Sequence, residues 1–325
     1  MATINGINPY PNRNENCNLT EAEKPINKVE KSSAFIGYNP YWDLNEIVLC
    51  KETKEVLQDV IVFCSHRDRI VEEWNLKRFL KGTGGCTGIN MYGKPGTGKS
   101  IAAEAIAKAT GKKIIKVDYS EIQDSKWGGT EKKISELFKT ATESESIIFF
   151  DEADALLGKR KSDGANAETN NQIKSHLLTL LDSSNVIVIF ATNLFENYDR
   201  AFFRRILFHI NFKLPNTEQL MELWKFHLGD EIPKSKDSFS YEIITEYSKG
   251  LSGGDIKNLT LKICIRLVSR NMSHVTNELV KEEIRIYKEA LANMDITKKE
   301  ISKKETTLIG KDANIAKEVL DSKNK

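Results

Sequence analysis

The stretch Gly93-Lys94-Pro95-Gly96-Thr97-Gly98-Lys99-Ser100 follows an apolar run, Thr87 to Tyr92, and opens the helix-forming run Ile101 to Lys108. A strand, then G-x-x-x-x-G-K-[ST], then a helix is the context in which this pattern cradles a phosphate chain. Glycines let the backbone wrap around phosphates with no side chain in the way, and the freed N–H groups point inward at the positive end of a helix. The expected cradle is Pro95, Gly96, Thr97, Gly98 and Ile101, with Lys99 neutralising β/γ-phosphate oxygens and the Ser100 hydroxyl holding Mg²⁺. Taken alone, the same letters also describe a Gly/Pro turn between a strand and a helix.

A second chemical signal lies roughly fifty residues further on. Ile147-Ile148-Phe149-Phe150 is a continuous apolar run that ends in Asp151-Glu152. Ligands of parallel sheets bind at the carboxyl ends of the strands, so both acids are expected beside the glycine loop. Asp151 suits the Mg²⁺ shell, and Glu152 is placed to polarise a water for attack on the γ-phosphate. Val186 to Ala191 then runs into Thr192-Asn193. A strand delivering Asn193 to the same edge would hold the attacking water or the γ-phosphate, whereas outside this context an Asn there reads as a turn residue.

The elements that must position these groups are legible as alternation. Apolar runs at Thr87–Tyr92, Lys113–Val117, Ile147–Phe150, Val186–Ala191 and His209–Phe212 read as strands, with helix-forming stretches between them. Continuous apolar runs suit central strands covered on both faces, and β/α alternation argues for a parallel sheet between helical layers. After Leu214-Pro215-Asn216 the pattern changes to helical spacing (Leu220, Leu223, Trp224, Leu228) and three further helix candidates follow. The expected organisation is a polar arm over residues 1–38, an α/β domain over 39–215, an all-helical domain over 216–293 and a Lys/Glu-rich tail over 294–325. The tail reads as a disordered segment or a frayed amphipathic helix.

Bulk composition narrows the function classes. The chain has 325 residues, 40% of them hydrophobic, and 48 basic against 46 acidic residues. The near balance gives no global electrostatic case for nucleic acid or an anionic membrane. Five scattered cysteines with no C-x-x-C pair read as reduced thiols, not a disulfide frame or zinc site. No apolar leader and no stretch of about eighteen apolar residues is visible, so the expectation is a cytoplasmic chain without a membrane span.

With these residues in place, the chain resembles the AAA+ ATPases, and among them the classical AAA clade of ring-forming protein remodellers. The resemblance covers roughly residues 40–293 and rests on ordered motifs. The glycine loop and Phe149-Phe150-Asp151-Glu152-Ala153-Asp154 are similar to the family's Walker A and Walker B, and Asn193 stands at its sensor-1 position. Asp199-Arg200-Ala201-Phe202-Phe203-Arg204-Arg205 resembles the arginine-finger segment, in the paired form seen in microtubule-severing and ESCRT-disassembling members. Arginine is planar, permanently charged and suited to phosphate oxygens, and a neighbouring chain can supply it. The resemblance therefore implies that Arg204 and Arg205 complete another subunit's site, without saying which is the main finger.

Leu251-Ser252-Gly253-Gly254-Asp255-Ile256 is similar to the clade's helical-lid signature, and Gly254 fits a clade that lacks the sensor-2 arginine. This puts Gly253 and Gly254 beside the nucleotide, and Ile47-Val48-Leu49 puts Val48 beside the base, with Leu49 where the family carries glycine. Ser125-Lys126-Trp127-Gly128-Gly129 resembles the first pore loop, which implies that Lys126 and Trp127 grip an extended polypeptide. Gly158 to Gly164 reads either as a second pore loop or as a charged surface loop. Asn170-Asn171 departs from the family, where an arginine pair is usual.

The resemblance implies an α/β P-loop NTPase, a three-layer αβα sandwich with a five-stranded parallel sheet, followed by a small all-helical lid. It implies an enzyme that hydrolyses ATP with Mg²⁺, assembles as a homo-oligomer (a hexamer) and threads a protein client through a central pore. An adaptor would choose the client, and degradation would need a separate protease. Two other classes remain beside it: an ATPase assisting a nucleic-acid transaction, against which near-neutral charge weighs, and a scaffold whose assembly is timed by nucleotide.

Overall fold

The computed structural model describes residues 35–67, 69–76, 87–122, 129–159, 167–193 and 198–294. Lys126 and Trp127 lie outside these residues, as do most of the Gly158–Gly164 loop, the first 34 residues and the tail after residue 294. Among the described residues no helix is long and apolar enough to cross a membrane.

In chain order the helices are α1 Lys51–Ser65, α2 Lys99–Ala109, α3 Tyr119–Ile122, α4 Gly129–Glu143, α5 Asp154–Leu157, α6 Ala167–Ser183, α7 Arg200–Phe203, α8 Thr217–Leu228, α9 Tyr241–Tyr247 and α10 Gly253–Ser269. An eleventh helix, α11, runs over residues 277–294. The strands are β1 Thr87–Gly93, β2 Ile114–Asp118, β3 Ile147–Asp151, β4 Ile187–Thr192 and β5 Phe208–Phe212. All five fall within a residue or so of the apolar runs seen in the sequence.

The strands form one parallel sheet in the order β2-β3-β4-β1-β5. β4 therefore lies between β3 and β1, pairing Ile148 with Val188 on one side and Tyr92 with Thr192 on the other. Period-two alternation sends successive side chains to opposite faces. Ile89, Met91, Phe149, Ile189 and Phe212 pack with α1 and α2, while Ile148, Phe150, Val188 and Phe190 pack with α4, α5 and α6. Both faces are covered, which is why these strands are apolar along their whole length.

Phe35 to Tyr38, assigned by sequence to the polar arm, is docked on the core instead. Tyr38 exchanges both backbone hydrogen bonds with Ile114, each at 3.0 Å, and Phe35 packs on the cluster beneath α4 and α6. An edge strand with unpaired N–H and C=O groups recruits any adjacent extended segment, and two residues are too few for a periodic signal.

Past Pro215 the helices build their own core from Leu220, Trp224, Leu228, Ile244, Ile256, Leu259, Ile263, Val280 and Ile284. Asn216 opens α8 with a capping box to Gln219, and Ser252 opens α10 with one to Asp255. Each such cap contributes about 1 kcal/mol. The indole N–H of Trp224 donates to Ser248 Oγ at 2.8 Å, so the largest buried side chain in this cluster leaves no orphan donor.

Candidate functional site

The sheet order brings the C-terminal ends of β1, β3 and β4 side by side, and each of these strands leads into a segment of different chemistry. β1 runs into the Gly93–Ser100 loop. There the chain takes left-handed geometry at Gly96 (φ +74°) and Gly98 (φ +99°), and Gly98 is the N-cap from which α2 starts. A Cβ on Gly96 would sit 2.4 Å from Ser252 Oγ, so position 96 has neither the dihedral nor the space for a side chain.

Lys99, the first residue of α2, is 8% exposed and folds back along its own loop. Its Nζ donates to Gly93 O at 2.7 Å, Lys94 O at 3.0 Å and Asn193 Oδ1 at 2.9 Å. Burial pushes this ammonium below its ordinary pKa, against the opposing pull of Asp151 and Asp154. A buried cation held by two carbonyls and an amide, with no direct carboxylate, is poised to exchange those neutral acceptors for an anion. The Asn193 contact also settles the place of that residue, because β4 delivers its amide between β1 and β3.

At the end of β3, Asp151 Oδ2 accepts a hydrogen bond from Ser100 Oγ at 3.3 Å and pairs with Lys116 Nζ at 2.9 Å. Its other oxygen accepts the Glu152 N–H at 3.1 Å. Glu152 is exposed and takes φ +51°, a left-handed value that costs a side-chain-bearing residue of order 1 kcal/mol or more. The strain turns the Glu152 side chain off the strand line, while Asp151 stays with the loop. Asp154 continues the arrangement by accepting the Asn193 N–H with both carboxylate oxygens, at 3.1 and 3.3 Å.

A cavity of about 550 Å³ joins these groups. Its lining includes Pro95, Gly96, Thr97, Gly98, Lys99, Ser100, Ile101, Asp151, Glu152 and Asn193 from the α/β side. Val48, Gly253 and Gly254 close it from the other, so every candidate contact for a nucleotide faces this one space. The roof is the N-terminus of α10: Gly254 N–H donates to Gly96 O at 2.9 Å, and a Cβ on Gly254 would come within 3.1 Å of the Gly96 Cα. The Gly-Gly pair thus lets two backbones touch. Tyr287 OH, from α11, donates to Asp255 Oδ1 at 2.6 Å and fixes the start of α10 in the helical cluster. Val48 packs on that same cluster beside the fully buried Ile47.

Several residues at or beside the cavity carry no functional signal in the sequence. Trp42 packs its ring against Phe226 of α8 at 6.3 Å, forming an apolar end to the cavity with Leu223. His227 lies there too, held below its ordinary pKa by burial and then by Lys257. Lys116 reads in the sequence only as a strand residue, though it touches Asp151. Leu223 and His227 fall at the helical spacing seen after Pro215, which marks a helix and not a ligand pocket, while Trp42 and Lys116 belong to no spaced motif.

The two arginines after α7 lie outside the cavity lining and differ from each other. Arg205 is held inside its own chain, its Nε 2.9 Å from both oxygens of Asp182, with a further donation to Ala201 O. Arg204 is exposed, and among the described residues no carboxylate pairs with it. Asp199 caps α7 by accepting the Ala201 N–H, and its own N–H donates to Leu157 O at 2.8 Å. The arginine segment is thereby tied through α5 to the Asp151–Asp154 end of the site.

Residues 89–214 match the family model described as "ATPase family associated with various cellular activities (AAA)". The chain is 36% identical over 183 residues to Protein SUPPRESSOR OF K(+) TRANSPORT GROWTH DEFECT 1 of Arabidopsis thaliana, covering 54% of this chain and 40% of that one. It is 32% identical over 240 residues to Cell division protein C of Sulfolobus acidocaldarius, covering 70% and 60%. To the 26S proteasome subunit RPT4 of Saccharomyces cerevisiae it is 32% identical over 206 residues, covering 61% and 47%. The chain spans about half the length of the curated relatives it matches.

Proposed function

We infer that this chain, a member of the AAA ATPase family through residues 89–214, hydrolyses ATP with Mg²⁺ as a ring-forming remodeller of protein clients. The observation that carries the reading is the convergence of Lys99, Ser100, Asp151, Glu152 and Asn193 on one cavity roofed by α10.

The donor set fits both ligands. The triphosphate would lie along the Pro95–Ile101 turn, where Lys99 exchanges the carbonyls of Gly93 and Lys94 for phosphate oxygens. The base would lie against Val48, Gly253 and Gly254. Ser100 Oγ and Asp151, already in contact, are two hard oxygens of the kind Mg²⁺ takes, and the ion would supply charge neutralisation between the β- and γ-phosphates. Glu152 would take a proton from the attacking water, with Asn193 orienting that water or the γ-phosphate. Arg204, exposed and unpaired among the described residues, would reach the γ-phosphate of an adjacent chain.

Because the Gly96 carbonyl and Gly254 N–H are bonded, a change in the loop on γ-phosphate loss would be felt by α10 and the helical cluster behind it. Such a motion, repeated around a hexamer, would couple hydrolysis to work on an extended client, with Lys126 and Trp127 as the residues proposed to hold it. An adaptor or a partner protease would act outside this chain.

Turnover against protein concentration tests the assembly part. ATP hydrolysis per chain is expected to rise steeply as rings form. Full turnover by a monomer, sized by light scattering, would remove the shared site. Trp127→Ala tests the threading part separately: ATPase stays near its original rate while client unfolding is lost, and an undiminished unfolding rate would rule the pore loop out.

A further inference from the structure

The nucleotide–metal reading leaves one strong contact without a role. Lys116 is the third residue of β2 and in register with Phe149 of β3. Its ammonium lies 6.0 Å from the centre of the Phe149 ring and reaches Asp151 Oδ2 at 2.9 Å. That oxygen is the same one that accepts the Ser100 hydroxyl. The pair is well shielded on the carboxylate side, with Asp151 20% exposed and Lys116 43%. Asp151 is the main influence holding the ammonium above its ordinary pKa, and Asp118 and Glu104 add to it. Glu104 is itself anchored, accepting from Tyr38 OH at 3.2 Å and from the Tyr41 N–H at 3.0 Å.

We propose that Lys116 is a built-in counter-cation for Asp151, which occupies the carboxylate oxygen until Mg²⁺ arrives with ATP and displaces it. The proposal rests on the nucleotide–metal reading above and adds a residue that sets how much Mg²⁺ that site requires. Two cations cannot share one carboxylate oxygen at contact distance without strong repulsion. Lys116 therefore has to yield for the metal to bind, and Asp118 and Glu104 offer it carboxylates to face once it has left. In their absence the ammonium would remain beside the incoming ion and oppose it. A metal-free Asp151 held by Lys116 also keeps a partly buried charge compensated between rounds of nucleotide exchange.

The test is the affinity of the full chain for a fluorescent ATP analogue, mant-ATP, across a series of free Mg²⁺ concentrations and in EDTA. Lys116→Met, and independently Lys116→Gln, are expected to lower the half-saturating Mg²⁺ by roughly threefold or more, the size expected from losing one partly exposed ion pair. Affinity in EDTA falls by about fivefold at most, because Asp151 then faces the triphosphate without its counter-cation; circular dichroism reports an intact fold, and Lys116→Arg keeps the original Mg²⁺ curve. Neutral variants with an unshifted curve, or with a higher Mg²⁺ requirement, would overturn the proposal. So would a loss of affinity in EDTA of about a hundredfold or more, which would make Lys116 a direct phosphate contact. If Mg²⁺ has no influence on mant-ATP binding by the unsubstituted chain, the metal reading itself fails, and the proposal with it.

Discussion

Arg204→Ala is expected to leave mant-ATP binding by its own chain unchanged and to cut steady-state turnover by about a thousandfold, the lower end of what arginine fingers contribute. Among the described residues no arginine lines the cavity: its cations are Lys99, Lys213 and Lys257, and Lys99 would be taken by the β/γ-phosphate oxygens. In the proposed mechanism, charge developing on the γ-phosphate would be met by a donor from an adjacent chain. Arg204 is the better donor of the adjacent pair because Arg205 already spends its Nε on both Asp182 oxygens. Arg205→Ala should chiefly loosen the joint between α6 and the segment after α7, at a stability cost of about 1 kcal/mol or less for a partly exposed pair. Mixing distinguishes action in trans from a local defect. Arg204→Ala and Lys99→Ala rings would each be nearly inactive, yet in a mixed ring the Lys99→Ala chain would lend its arginine to an intact pocket next door. A mixture no more active than the sum of its parts would leave Arg204 without this role.

Glu152→Gln is the second large effect expected. Gln retains the size and shape of the side chain, and the left-handed backbone at φ +51° does not depend on the carboxylate. The Glu152 N–H still has Asp151 Oδ1 to donate to. Nucleotide binding should persist, while hydrolysis falls by about 10²- to 10⁴-fold with the loss of the proton acceptor. Single-turnover hydrolysis measured beside mant-ATP affinity separates the two. The ATP-bound state would be long-lived, and rings would be expected to accumulate and retain clients. Turnover near the original rate would transfer the base role to another group.

Much of this site is legible in the linear chain because each part is a local pattern with a local cause. The loop needs φ values that glycine supplies at 96 and 98, and those glycines are visible by spacing. The strands are buried on both faces, so apolar runs mark them to within a residue or so. The start of α10 is marked in the sequence by residues 251–256 through their resemblance to the lid signature, and the structure adds the Ser252–Asp255 capping box. The docking of Phe35–Tyr38 on β2, by contrast, depends on an edge far along the chain and has no periodicity to betray it.

By itself, then, the order of residues determined the glycine loop between a strand and a helix, the paired acids at the end of an apolar strand, and an α/β layer followed by helices. All are governed by backbone dihedrals and by burial that repeats with the period of each element. Only the tertiary structure decided that β4 enters between β1 and β3, which carries Asn193 to Lys99 across 94 residues of chain. It also decided that Arg205 is engaged while Arg204 is free of carboxylates among the described residues, and that Lys116 rests on Asp151. Those outcomes are set by which distant side chains the packed sheet brings within hydrogen-bond reach, and distance in space is not written in any spacing along the chain.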